Sequence, residues 1–202
     1  TLFALTVTPH VVFAGSAAEM LMELSEGSGN MKAGALNIHP GIRVLEQYND
    51  NLYATAPSVA NKKKTWMNVI TPGLLINLPI RDHEPELGYA ADIYSYHKYS
   101  KEDYIAHTVQ GGASLNFSGG LTVSLTDTYL KTKDFRSTET DPLRASHIDN
   151  NLNVSMAYAF PASKLSMGLS YDDSYLRYDQ ASNRAADRRD QTYGEDLNSK
   201  KK

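Results

Sequence analysis

Apolar and polar positions alternate with a period of two along most of the chain. In His107–Leu130, Val109, Gly111, Ala113, Leu115 and Phe117 fall on one face of an extended backbone, and Thr108, Gln110, Gly112, Ser114 and Asn116 on the other. After Ser118-Gly119-Gly120 the pattern restarts, with Leu121, Val123 and Leu125 against Thr122, Ser124 and Thr126. Leu36, Ile38, Ile42 and Val44 alternate with Asn37, His39, Gly41 and Arg43, and Ile70, Leu74, Ile76 and Leu78 with Thr71, Gly73, Leu75 and Asn77. Leu152, Val154, Met156, Tyr158 and Phe160 oppose Asn153, Ser155, Ala157 and Ala159; Leu165, Met167, Leu169 and Tyr171 oppose Ser166, Gly168, Ser170 and Asp172. Leu87–Tyr99 is noisier but keeps Leu87, Tyr89, Ala91 and Ile93 together. Period two means strands, and no long amphipathic helix is expected in the mature part.

The connections carry a second signal. Ser118-Gly119-Gly120 and Pro161-Ala162-Ser163-Lys164 read as tight turns, whereas Asn49–Thr65, Asp134–Ser146 and Asp179–Asp190 read as long polar loops. Pro79–Glu86 and Ser100–Ala106 are intermediate and about equal, but the clear cases alternate between short and long. An antiparallel meander then puts tight turns at one end and long loops at the other. Outer-membrane barrels have this asymmetry. The runs span roughly 10–14 residues, where soluble strands peak near 5–6 and membrane strands need about 9–11.

Composition then narrows the field. The 202 residues carry a net charge of -3, 13 tyrosines, 5 phenylalanines and no cysteine. Near-neutral charge argues against a nucleic-acid partner. Missing cysteine excludes disulfides and thiolate metal sites. Tyr48, Trp66, Tyr96, Tyr99, Tyr129 and Tyr178 gather toward the long loops, and Tyr158 and Phe160 toward the short turns, as two aromatic girdles would. Few mid-strand positions are charged, unlike the exterior of a soluble sandwich.

The expected fold is therefore all-β, an antiparallel up-and-down transmembrane β-barrel, present as an incomplete, open segment of seven or eight strands. Val109, Leu115, Phe117, Leu121, Val123, Leu125, Val154 and Met156 are expected to face lipid. Gln110, Ser114, Asn116, Thr122, Ser124, Thr126, Asn153 and Ser155 are expected to face a hydrated lumen. A soluble β-sandwich or lipocalin-like binding module also alternates, and a structural or adhesion barrel shares the same strand pattern.

The N-terminus is apolar through TLFALTVTPHVVFAG and then offers Ser16-Ala17-Ala18, a pattern suited to cleavage before Glu19. Residues 1–18 read as a signal-peptide remnant, 19–35 as a periplasmic linker and 36–202 as a truncated barrel segment.

Candidate chemistry is thin. His10, His39, His83, His97, His107 and His147 show no ligand spacing, and Ser114 and His107 fall on opposite faces of one strand. Asp172-Asp173 and Lys101-Glu102-Asp103 lack the spacing of a calcium loop. No enzyme, metal or cofactor is expected. Lys62, Lys63, Lys64, Arg184, Arg188 and Arg189 fall on expected extracellular loops, where solvated charges are ordinary and lipopolysaccharide phosphates or an anionic polymer are the partners they suit.

GIRVLEQYNDNLY (Gly41–Tyr53) followed by WMNVITPGLLINL (Trp66–Leu78) resembles the start of the putative β-barrel porin 2 family of Gram-negative outer-membrane proteins. Tyr48, Asp50, Asn51, Pro72 and Gly73 carry the likeness, and LGYAADIYSYHKYSKEDYIAHTVQGGASLNF is similar to the family's next hairpin. The resemblance covers about residues 36–195. It implies an outer-membrane channel and a link to exopolysaccharide export.

Overall fold

A computed structural model of the protein describes residues 16–26, 31–52, 62–133, 145–161, 163, 165–179 and 187–199. One helix, α1 (Ser16–Glu26), precedes nine strands: β1 (Met31–Ala33), β2 (Leu36–Asn49), β3 (Thr65–Asn77), β4 (His83–Tyr96), β5 (Tyr104–Asn116), β6 (Leu121–Thr132), β7 (His147–Ala159), β8 (Leu165–Tyr178) and β9 (Arg188–Ser199). They form one sheet in sequence order, each strand antiparallel to its neighbours. The sheet is open, with β1 and β9 at its edges.

The expected all-β meander is present, with two differences. The eight long strands are the upper of the two expected numbers, and the first difference is the short β1, which makes a ninth. Thr192–Leu197, which the chain offers as the possible start of an eighth strand, lies within β9. The strand begins earlier, in the charged run Arg188–Asp190, and pairs with β8 over Leu165↔Ser199 to Leu176↔Arg188. The second difference is α1. Its apolar Ala17, Met20, Leu21 and Leu24 recur at helical spacing and form one stripe. The helix runs across the expected cleavage point before Glu19; residues 1–15, most of the expected leader, lie outside the described residues.

Connections alternate as the turn chemistry requires. The strand ends joined by the short connections (Asn77 and His83, Asn116 and Leu121, Ala159 and Leu165) lie at one end of the sheet. Those joined by the longer ones (Asn49 and Thr65, Tyr96 and Tyr104, Thr132 and His147, Tyr178 and Arg188) lie at the other. The 117–120 turn requires a glycine at Gly120: its φ is +86°, and a side chain there would run into the Ala159 carbonyl. Its N–H donates to the Phe117 carbonyl at 3.1 Å.

The principal buried cluster belongs to the sheet and the long loops. Leu52, Met67, Val69, Tyr94, Tyr96, Tyr104 and Ala106 form it, with Leu45 and Tyr99 packed alongside. Tyr94 and Tyr104 are cross-strand partners stacked at 4.5 Å between centroids.

Candidate functional site

Directly paired residues on antiparallel strands point to the same side of a sheet, so the register sorts every strand residue onto one of two faces. One face is apolar. Across β6–β9 its rows read Leu121, Tyr158, Met167, Leu197; then Val123, Met156, Leu169, Glu195; then Leu125, Val154, Tyr171, Tyr193. Across β2–β5 they read Ile38, Ile76, Leu87, Gly111 and Pro40, Leu74, Tyr89, Val109. Glu195 is the one acidic residue in these rows. Nothing among the described residues covers this face: Ile42 is 69% exposed, Val44 67% and Leu197 72%.

Polar residues enter the apolar face toward the long loops. Glu46, Asn68 and Ser95 make one such row, and Asp127, Leu152, Asp173 and Gln191 another. Arg189 grips Asp173 through two nitrogens, at 3.0 and 2.6 Å. Aromatic pairs lie at the two ends of this face: Tyr48 with Trp66 at 5.2 Å near the long loops, Tyr158 with Phe160 at 4.8 Å near the short turns.

The opposite face carries α1 and is the candidate site. One row crosses eight strands as Asn37, Asn77, Glu86, Gly112, Thr126, Asn153, Asp172 and Thr192. Asn37 donates to Asn77 at 2.8 Å and Asn153 to Asp172 at 2.5 Å, while the Ser174 hydroxyl donates to Asn151 one row away. Two shallow hollows, of about 370 and 470 Å³, lie along β6–β9 between Thr122, Ser124, Ser155 and Ser170 and between Thr126, Asn151, Asn153 and Asp172. Hydroxyls, amides and carboxylates spaced along open backbone suit water and polar solutes by exchangeable hydrogen bonds.

Over β2–β5 the same face is different. Gly41 pairs with Gly73, Gly73 with Ala90, and Gly88 lies one row away. These small residues seat α1: a side chain at Gly41 would run into Met20 and Leu24, and one at Gly88 would stand 2.9 Å from Leu21 Cδ2. Arg43 bonds Glu19 at 3.0 Å and Glu23 at 2.5 Å, but both glutamates are about two-thirds exposed, 64% and 66%, so each pair contributes roughly 0–1 kcal/mol. At the helix start the Ala17 N–H donates to Asp92 Oδ2 at 3.1 Å. Asp92 is buried on β4 and also accepts the Thr71 hydroxyl at 2.6 Å. An anion there satisfies an orphan helix donor and faces the positive end of the helix dipole.

Gln110, Ser114, Asn116, Thr122, Ser124, Thr126, Asn153 and Ser155 all lie on the α1 face. Val109, Leu115, Phe117, Leu121, Val123, Leu125, Val154 and Met156 lie on or continue the apolar face. Two girdle residues are misplaced. Tyr96 pairs with Met67 and Tyr178 with His147, both on the α1 face, where they are 4% and 1% exposed. Tyr99 is half-buried against the main cluster rather than aligned with an aromatic row. Arg188 and Arg189 belong to β9 rather than a loop, paired with Asp190 and Asp173; Arg184 lies outside the described residues. Sequence reasoning missed α1 and its seat. The helical spacing of Ala17, Met20, Leu21 and Leu24 was the available signal.

Histidines do not converge. His107 lies on the apolar face within 2.8 Å of the Tyr89 hydroxyl, and His147 is buried at the long-loop end, where its Nδ1 donates to the Ala145 carbonyl. His39 is buried on the α1 face, and neither ring nitrogen has a partner among the described residues. Among the described residues no group of three potential metal ligands forms.

No protein-family model, curated protein or solved structure matches the chain.

Proposed function

We propose that the protein is an outer-membrane β-barrel channel for polar solutes, with the apolar face toward lipid and the α1 face toward a hydrated lumen. The observation that carries this reading is the pair of faces: an uncovered apolar face over every long strand, backed across β6–β9 by a largely polar one. Over β2–β5 the α1 face also holds the buried cluster of Met67, Val69, Tyr94, Tyr96 and Tyr104. A soluble protein rarely leaves so continuous an apolar surface in water. Strands of 12–14 residues, at about 3.3 Å per residue, reach roughly 40–45 Å, enough to cross the hydrocarbon at a tilt and extend beyond it. The polar rows toward the long loops fit strand ends that leave the bilayer. In this reading the short turns are periplasmic and the long loops extracellular.

An open sheet does not persist in hydrocarbon, because each unpaired N–H and C=O there costs several kcal/mol. Further strands therefore close the edges at β9 and at β2 beyond its short pairing with β1. Transport is passive, through exchange of hydrogen bonds along Gln110, Ser114, Thr122, Ser124, Asn153 and Ser155. The lining is acidic: Glu84, Glu86, Asp149, Asp172, Asp190 and Asp196 share the α1 face with Lys32, Arg43 and Arg188. Cations are thus favoured over anions. The resemblance to the porin 2 family extends the proposal to exopolysaccharide export, and Lys62–Lys64 on the first long loop suit lipopolysaccharide phosphates.

Cell fractionation followed by reconstitution tests this reading. The protein is expected in the outer-membrane fraction and, in planar bilayers, to pass potassium more readily than chloride. Recovery in the soluble fraction favours a sandwich or lipocalin-like binder instead. Membrane recovery without conductance favours a structural or adhesion barrel.

A further inference from the structure

We infer that α1 is a displaceable plug: docked, it covers the β2–β5 half of the channel lining, and released, it opens that half to water. The inference rests on the channel reading for what release achieves, but the docking stands on contacts alone.

The seat is shaped for this helix. Gly41, Gly73 and Gly88 come from three adjacent strands, and each faces an α1 side chain. A Cβ at Gly73 would stand 3.1 Å from Met20 Cγ, and one at Gly88 2.9 Å from Leu21 Cδ2. On the same face of β8, away from α1, a Cβ at Gly168 would stand in ordinary contact, 3.7 Å from Met156 O. Arg43 on β2 and Asp92 on β4 then fix the helix across the strands, one through its glutamates and the other through its first turn.

The same contacts show why the plug can leave. Eleven residues are too few to hold a helix in water without a partner surface, so docking and helix formation are coupled. The main buried cluster contains no α1 residue, and the sheet's packing at the long-loop end does not depend on the helix. What α1 covers is largely small or polar, namely the glycines, Ala90, Thr71 and Asp92. Water can hydrate most of that surface once it is exposed. The clamp at Arg43 is made of exposed carboxylates, which respond to ionic strength and to competing cations.

A disulfide lock tests the inference, because the chain has no cysteine to interfere. In Met20→Cys/Gly73→Cys the new sulfur of residue 20 takes the place of Met20 Cγ, 3.1 Å from the residue-73 Cβ. That gap suits a disulfide. Gly73 does not have a positive φ, so its backbone accepts a side chain. The full chain is produced in its own cells, and its outer membranes are oxidised, probed by mass for the crosslink, then fused to planar bilayers. The crosslink is expected to form, to suppress the larger openings, and to release a several-fold rise in conductance on reduction. In a cysteine-free background, Arg43→Gln is expected to raise open probability by itself.

Failure to crosslink overturns the docking. Crosslinking with conductance unchanged by reduction, or Arg43→Gln indistinguishable from the parent, overturns displacement. Crosslinking with no conductance in either redox state overturns the channel reading and the plug with it, while leaving the docked helix standing.

Discussion

Across β2–β5 the α1 face is built from Gly41, Gly73, Gly88 and Ala90 and is covered by a helix; across β6–β9 one of the same rows continues as Thr128, Asn151, Ser174 and Asp190 and is bare. On the other side of the sheet the two halves are alike in character, with Ile70 and Leu74 exposed like Leu125, and Val123 half-buried. One face thus answers to a single environment along the whole sheet. The other changes along the sheet: small residues under α1, the buried cluster of Met67, Val69, Tyr94, Tyr96 and Tyr104 toward the long loops of β2–β5, and hydroxyls and amides across β6–β9.

The largest expected effect tests the likeness of the apolar faces. Ile70→Arg and Val123→Arg should each destabilise the protein in lipid vesicles by about 2–4 kcal/mol if both lie near the midplane, measured by denaturant unfolding. Ser124→Arg, one residue away on the polar face, should cost clearly less. A large penalty in only one half would mean that the two halves do not share a medium.

The next effect tests the difference between the α1-face halves. Gly88→Leu forces a side chain into Leu21 and Leu75, an overpacking expected to cost about 1–3 kcal/mol or to eject the helix. Gly168→Leu, on the same face of β8, meets only Met156 O at 3.7 Å and Asp196 Cβ at 3.8 Å, and should change stability by less than about 0.5 kcal/mol. Thermal unfolding of the two variants side by side measures the contrast; equal losses would remove the distinction between covered and bare halves.

The smallest effect concerns the long-loop ends. In the bare half, Ser146 donates to Asp179 at 2.7 Å and Lys131 Nζ lies 3.7 Å away. The Ser146 hydroxyl, followed by the Lys131 charge, holds the Asp179 carboxyl below its usual range. A depressed carboxylate stabilises the fold above its unfolded value near pH 4, and that stability is lost as pH falls toward the lower folded value. The contribution is below about 1 kcal/mol, because the exposed pair is screened by solvent. Amide exchange at Ser146–His147 should rise as pH is lowered below about 4, after correction for intrinsic rates, and Asp179→Asn should abolish that response. The covered half, closed by Leu52, Tyr94 and Tyr104, should show no matching change.

Much of this arrangement was legible in the chain. Period-two alternation put Leu121, Val123 and Leu125 on one side and Thr122, Ser124 and Thr126 on the other, because cross-strand pairing preserves parity. The same parity already separated Tyr96 from Ile93, and following it would have placed Tyr96 with the buried residues; proximity to a loop was the weaker guide. Strand β9 was legible only over Thr192–Leu197, because the charged Arg188–Asp190 at its start pairs with Asp173 and with itself, so alternation fades there while backbone pairing remains. The noise in β4 has a cause on the α1 face, where Gly88, Ala90 and Asp92 lie beneath the helix, so this face does not alternate with the other as polar against apolar. The helix itself was masked by composition: Ala17, Met20, Leu21 and Leu24 follow an apolar run that reads as a leader, and their spacing has meaning only against the glycines far along the chain.

The central claim is that the sheet separates lipid from water, and single cysteines along β6 test it most directly. Cysteine replaces each of Leu121, Thr122, Val123, Ser124, Leu125 and Thr126 in turn, and the protein in its native membrane is exposed to a water-soluble maleimide small enough to enter the lumen. The account predicts reaction at Thr122, Ser124 and Thr126 and protection at Leu121, Val123 and Leu125, with the pattern inverted for a lipid-partitioned quencher. Equal reaction at all six positions, or protection of the polar set, would contradict it.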